Sequence, residues 1–253
     1  MSHEKAVTAC VVVIGNEILS GRTQDANLSY LALALNSVGV RVREARVIPD
    51  DPDTIIATVN EVRAKFDYVF TTGGIGPTHD DITSLCIARA FGVPLILHPE
   101  AKALLEMHYR QGELNEARLR MAHVPEGAEL LLNPVSRAPG FRIGNVFVLP
   151  GVPLVMQAIF DGFKHILAGG KTVLSRSITC ALLEGRIAAD LGTIQDGYPC
   201  VEIGSYPFFG QGAYGTCLVL RTTDQALLDA AAAEVRAMIR KHGGEPSPEN
   251  TGA

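Results

Sequence analysis

The sequence has no tryptophan, only 6% aromatic residues and only 19% charged residues. Its five cysteines, Cys10, Cys86, Cys180, Cys200 and Cys217, are odd in number, widely spaced and without any CxxC pair. That pattern argues against a disulfide scaffold or a thiolate zinc site, and for reduced thiols in the cytoplasm. Long apolar runs are also missing. The longest nearly unbroken one, residues 6–14, is far short of a membrane span. The opening Met-Ser-His-Glu-Lys leads straight into that run, so no signal peptide and no membrane partner are expected. The 22 Lys and Arg against 27 Asp and Glu give a formal charge of -5 and form no basic stripe, which disfavours a nucleic-acid binder. Familiar catalytic signatures are absent as well. Gly15-Asn16-Glu17 is not GxGxxG, and neither GxxxxGK[ST] nor GxSxG occurs. The histidines show no HExxH spacing.

What is present is apolar and periodic. Of the 253 residues, 47% are hydrophobic, enough for one large domain or a medium and a small one. Residues 6–14 (AVTACVVVI) read as a strand buried on both faces, which is the mark of a parallel sheet. Residues 23–38 place Leu28, Leu31, Leu35 and Val38 on one helical face, with Gly39 as the stop. A strand over 40–48, a helix over 53–65, a strand over 67–72 and a helix over 81–91 follow. Residues 99–126 look helical with a break near Gly112. A strand over 146–149 precedes a helix over 154–167. Short links between alternating strands and helices imply a parallel sheet covered on both sides, an α/β fold. After Gly169-Gly170 the rhythm becomes β-α-β-β-α. The expected division is residues 1–170, a small α+β module over 171–242, and an unpacked, disordered tail over 243–253.

Four loops follow the parallel-strand candidates: Gly15-Asn16-Glu17, Pro49-Asp50-Asp51, residues 72–81, and Pro150-Gly151. In open α/β sheets such loops share the edge where ligands bind. The most informative segment is Thr72-Gly73-Gly74-Ile75-Gly76-Pro77-Thr78-His79-Asp80-Asp81. Its glycines let backbone N–H groups approach an anion, and the start of the following helix adds further donors. Bare carboxylates would repel phosphate, so Asp80 and Asp81 suggest a divalent cation between the two charges. Asp50 and Glu17 could complete an oxygen-rich site for a magnesium- or cobalt-like ion. Taken singly, each feature also has a structural explanation. Asp81, Asp51 or Asp53 can cap a helix, a Gly-Gly-x-Gly turn can be a connection, and His79 can be a hydrogen-bonding spacer.

The residues Gly15-Asn16-Glu17-Ile18-Leu19-Ser20-Gly21, Thr23-Gln24-Asp25-Ala26-Asn27, the 73–81 loop and Leu149-Pro150-Gly151-Val152-Pro153 resemble the molybdopterin-binding superfamily of MogA and MoaB type. The closer resemblance is to the N-terminal region of CinA and the molybdopterin-binding-like domain of FAD synthase, and it extends to Gly204-Ser205-Tyr206-Pro207 and about residue 242. The resemblance implies a three-layer α/β/α domain binding a pterin- or nucleotide-containing phosphoanhydride with a divalent metal. It also implies self-association as a dimer or trimer. It makes Asp50 and Asp81 the catalytic and metal-binding acids, with Asp80 and Glu17 assisting. Gly15, Asn16, Thr72, Gly73, Gly74, Gly76, Thr78, Pro150 and Gly151 become the phosphate- or substrate-binding set. Hydrolysis of FAD or ADP-ribose is then the expected activity, with molybdopterin adenylyl transfer or non-catalytic binding of molybdopterin or a nucleotide as alternatives. Ile75 stands where the MogA-type enzymes usually carry threonine, which argues against adenylyl transfer. The deamidase and synthetase domains of the longer relatives have no counterpart in these residues, and their activities are not expected.

Overall fold

The structure, a computed structural model, describes residues 6–210 and 213–248, and the chain divides after Gly170 into two units. The first unit begins with β1 (Val7–Ile14), α1 (Asn16–Leu19), α2 (Asn27–Ser37), β2 (Val40–Ile48), α3 (Pro52–Lys65), β3 (Tyr68–Thr72) and α4 (Thr83–Phe91). It continues with β4 (Leu95–Leu97), α5 (Pro99–His108), α6 (Glu116–Leu119), β5 (His123–Pro125), β6 (Glu129–Leu131), β7 (Gly140–Ile143), β8 (Val146–Leu149) and α7 (Pro153–Phe163). Six strands form one sheet in the order β2-β1-β3-β8-β7-β6. β2, β1, β3 and β8 run parallel, while β7 and β6 are antiparallel additions at one side. The expected mostly parallel α/β/α architecture is what the chain adopts.

The apolar character of β1 on both faces has a direct cause. Cys10, Val12 and Ile14 pack into the core that Ile55, Val59 and Val62 of α3 and Ile87 of α4 complete. Ala9, Val11 and Val13 point the other way, to Leu31 and Leu35 of α2 and Met156 and Phe160 of α7. On this second side Phe147 lies between Phe70 and Phe163, with ring centroids 5.0 Å from each. Asp51 caps α3, accepting from the Thr54 amide at 2.9 Å and its hydroxyl at 2.7 Å, with Pro52 in the first turn.

Two expectations need correction, and one element was not foreseen. Residues 23–26 are not helical. The Asp25 carboxylate accepts from the Leu28 amide at 2.9 Å and the helix begins at Asn27. Residues 99–126 are helical to His108, over the single turn α6 and over a short 3-10 turn at Arg120–Ala122, after which β5 pairs with β4. The β6–β7 hairpin was not readable, because strands of three and four residues have too little pattern of their own.

The second unit consists of β9 (Leu174–Cys180), α8 (Glu184–Gly197), β10 (Glu202–Gly210), β11 (Ala213–Thr222) and α9 (Gln225–Lys241). Its antiparallel sheet has the order β10-β11-β9. Ile178, Leu218 and Leu220 pack with Ile187 of α8 and Val235 and Ile239 of α9 in a core of its own. The tail departs from expectation. Ser247 donates its amide to Thr179 O at 2.8 Å, accepts from the Thr179 amide at 3.0 Å, and its carbonyl accepts from Arg236 at 2.8 Å. Residues 243–248 are thus tied to β9 and α9, and residues 249–253 lie outside the described ones.

Candidate functional site

Because β2, β1, β3 and β8 lie side by side and parallel, the four loops at their carboxyl ends leave from one edge of the sheet. A cleft of about 60 Å³ opens there, lined among others by Glu17, Asp25, Asn27, Thr72, Gly73 and Gly151. Glu17, Thr72, Gly73 and Gly151 belong to the set read from the sequence. Asp25 and Asn27 were not assigned a role there.

The two leading glycines are required by close backbone approach. Gly73 has φ 103°, donates its amide to Leu149 O at 3.0 Å, and a Cβ would stand 2.2 Å from the Ile14 carbonyl oxygen. Gly74 has φ 70°, its carbonyl accepts from the Thr83 amide at 2.9 Å, and a Cβ would stand 2.1 Å from Thr83 Oγ1. Beyond them, the amides of Gly74, Ile75 and Gly76 donate to no acceptor among the described residues. Unpaired amides of this kind are what an anion-binding loop requires. The Ile75 side chain packs on the core shared by α3 and α4.

The loop then closes on itself. Thr78 donates its amide to Asp81 Oδ2 at 2.8 Å, and its hydroxyl lies 2.6 Å from both Asp80 Oδ1 and Asp81 Oδ2. The hydroxyl contact holds the exposed Asp80 carboxyl below its usual range. Asp81 therefore reaches back to Thr78 instead of capping α4, whose cap position is Ile82 with no side-chain bond. Arg120, not singled out in the sequence, brings its guanidinium to this turn by donating to Thr78 O at 3.1 Å. His79 is 95% exposed, its Nδ1 3.8 Å from Asp80, beyond hydrogen-bond reach.

Asp50 stands in the neighbouring loop, where Oδ2 accepts from the Asn16 amide at 2.9 Å, and the Gly15 amide donates to Ile48 O at 3.1 Å. Pro150 leads into Gly151, whose carbonyl accepts from Asn27 Nδ2 at 2.8 Å. Asn27 is only 4% exposed, and its Oδ1 has no partner among the described residues; nor has the buried Thr72 Oγ1. The signal for Asn27 in the sequence was the polar run Thr23-Gln24-Asp25-Ala26-Asn27, an Asx-type start that the leucine periodicity of α2 concealed.

The carboxylates fall into two places. Asp80 and Asp81 meet at Thr78, while Asp50 is tied to the Asn16 loop and Glu17 lines the cleft. No group of three or more His, Cys, Asp or Glu among the described residues is arranged to hold a metal ion. The expected gathering of Asp50, Glu17, Asp80 and Asp81 around one ion is therefore not found among the described residues.

Comparison with known proteins concerns the family and the fold. The family model described as "Probable molybdopterin binding domain" matches residues 10–169, and "FAD synthase, middle domain" matches residues 172–246. A protein of Archaeoglobus fulgidus is 36% identical over 78% of this chain and 84% of its own length. A CinA-like protein of Desulfosudis oleivorans is 36% identical over 60% of this chain, which spans 38% of that relative. The crystal structure of CinA from Thermoplasma acidophilum superposes with a TM-score of 0.59 at 35% identity, covering 63% of this chain and 98% of that one.

Proposed function

Since the chain belongs to the molybdopterin-binding domain family, we propose that its sheet edge binds and hydrolyses a nucleotide phosphoanhydride of FAD or ADP-ribose type, together with a divalent ion. The observation that carries this reading is one loop holding both kinds of group: the unpaired amides of residues 74–76 and the Asp80 and Asp81 carboxylates. Amides attract phosphate oxygens and carboxylates repel them. The two are compatible around one anionic ligand when a cation lies between them. Asp80 and Asp81 would hold that ion, and its chemistry would be neutralisation of phosphate charge.

The chain's own groups orient the ligand. Amides of the glycine loop position the phosphates, and Thr72, Gly73 and Gly151 shape the approach. Asp50 and Asp81 act as the catalytic carboxylates. Water forms a bond to one phosphorus, the bridging P–O bond breaks, and the bridging oxygen leaves with the second phosphate while a nucleoside monophosphate is released. Family membership also supports molybdopterin adenylyl transfer at this edge, with a pterin phosphate in place of water as the acceptor.

Incubating the purified protein with FAD, ADP-ribose, or ATP plus molybdopterin, in magnesium or cobalt, separates the readings. AMP from FAD or ADP-ribose is the expected result. ATP consumption only when molybdopterin is present supports transfer, and ligand binding without turnover refutes both catalytic readings.

A further inference from the structure

We propose that Asn27 is a specificity-determining contact, its side-chain carbonyl accepting a hydrogen bond from a neutral donor on the ligand, a sugar hydroxyl or a ring amino group. The inference rests on the phosphoanhydride reading of the same edge. Asn27 is 4% exposed and lines the cleft. Its Nδ2 donates to the Gly151 carbonyl at 2.8 Å. A carbonyl accepts only from a donor, so this contact fixes which end of the amide is nitrogen and leaves Oδ1 as the unsatisfied acceptor. A buried acceptor without a partner is costly, and a ligand donor would remove that cost.

Glu17 and Asp25 are acidic and line the same cleft, and one Asp25 oxygen already takes the Leu28 amide. These two carboxylates disfavour phosphate oxygens beside them. Amides of the glycine loop offer the opposite chemistry. The edge is thus two-signed: a ligand that suits it has a neutral donor at one end and phosphate at the other. A cleft of about 60 Å³ admits a hydroxyl or amino group but is too small for a bicyclic ring.

The test is a calorimetric titration in magnesium of the full chain with ADP, 2′,3′-dideoxy-ADP, purine riboside diphosphate (lacking the amino group) and inorganic pyrophosphate. The wild type should bind one of the two ADP analogues about tenfold more weakly than ADP, and which one identifies the donor as sugar or ring. In Asn27→Ala that discrimination should vanish while pyrophosphate affinity is kept. Equal binding of ADP and both analogues by the wild type overturns the proposal, and this arm stands even if the variant does not fold. A discrimination that persists in Asn27→Ala, or pyrophosphate binding lost in parallel, also overturns it. If pyrophosphate binds as tightly as ADP, the phosphate reading survives and the Asn27 reading falls. If neither binds, both fall.

Discussion

Replacing Gly73 by alanine tests the packing on which the site depends. Two costs add at this position. An L-residue at φ 103° is strained, by about 1–2 kcal/mol on the scale for left-handed backbone. The new Cβ would also lie 2.2 Å from the Ile14 carbonyl, well inside the 3.4 Å at which ordinary contact begins. The obstructing atom is backbone at the end of β1, so no side chain can swing away. Relief requires shifting β1 against β3, or breaking the bond from the Gly73 amide to Leu149 O. Gly127 is the control, because it has φ 80° and nothing within 4 Å of a built Cβ. Gly127→Ala should lose about 1–2 kcal/mol and Gly73→Ala about 3–5 kcal/mol. Urea unfolding measures the totals, and hydrogen exchange of β1 and β3 peptides assigns the loss to the first unit. Equal losses in the two variants would show that β1 and the glycine loop do not approach as described.

Further outcomes follow from the same geometry. Asp81→Asn keeps an oxygen for Thr78 but removes the charge, so it should fold normally by circular dichroism and release no AMP from FAD; an unchanged rate removes Asp81 from the mechanism. The Thr54 hydroxyl, and then its amide, hold the Asp51 carboxyl below its usual range. A depressed native value means this stabilisation is present at neutral pH and lost as pH falls through the carboxylate range. The stability gap between wild type and Asp51→Ala should therefore narrow on acidification, measured by urea melts between pH 7 and 3. Burial pushes the Cys10 thiol up to about 11, and Cys86 and Cys180 are buried too, so only the exposed Cys200 and the half-buried Cys217 should react with a disulfide reagent in the native protein. Rapid modification of three or more thiols before unfolding would contradict this burial.

The elements most legible in the sequence were those whose environment leaves a long pattern. β1, β3 and β8 are apolar runs and β2 alternates apolar with charged residues, each ended by glycine, proline or threonine, and their alternation with helices implied the parallel sheet. β4 to β7 escaped because strands of three or four residues exist through their partners, and pairing is not a local property. The same distinction divides the aspartates. Asp51 and Asp81 both precede helices, and composition cannot say which of them is a cap. Asp51 reaches forward to Thr54, whereas Asp81 turns back to Thr78 and leaves its helix uncapped.

Chemical character was written in the chain: glycines beside carboxylates, on loops that a parallel sheet would bring to one margin. Position was not. Which acids meet, that Asp80 and Asp81 share one hydroxyl while Asp50 joins Asn16, and that Asn27 is buried with one oxygen unsatisfied, were decided only by the fold. The physical reason is range. Propensity and periodicity act over a few residues, whereas the partners of a buried polar atom come from loops far apart in the chain, brought together by strand pairing and packing.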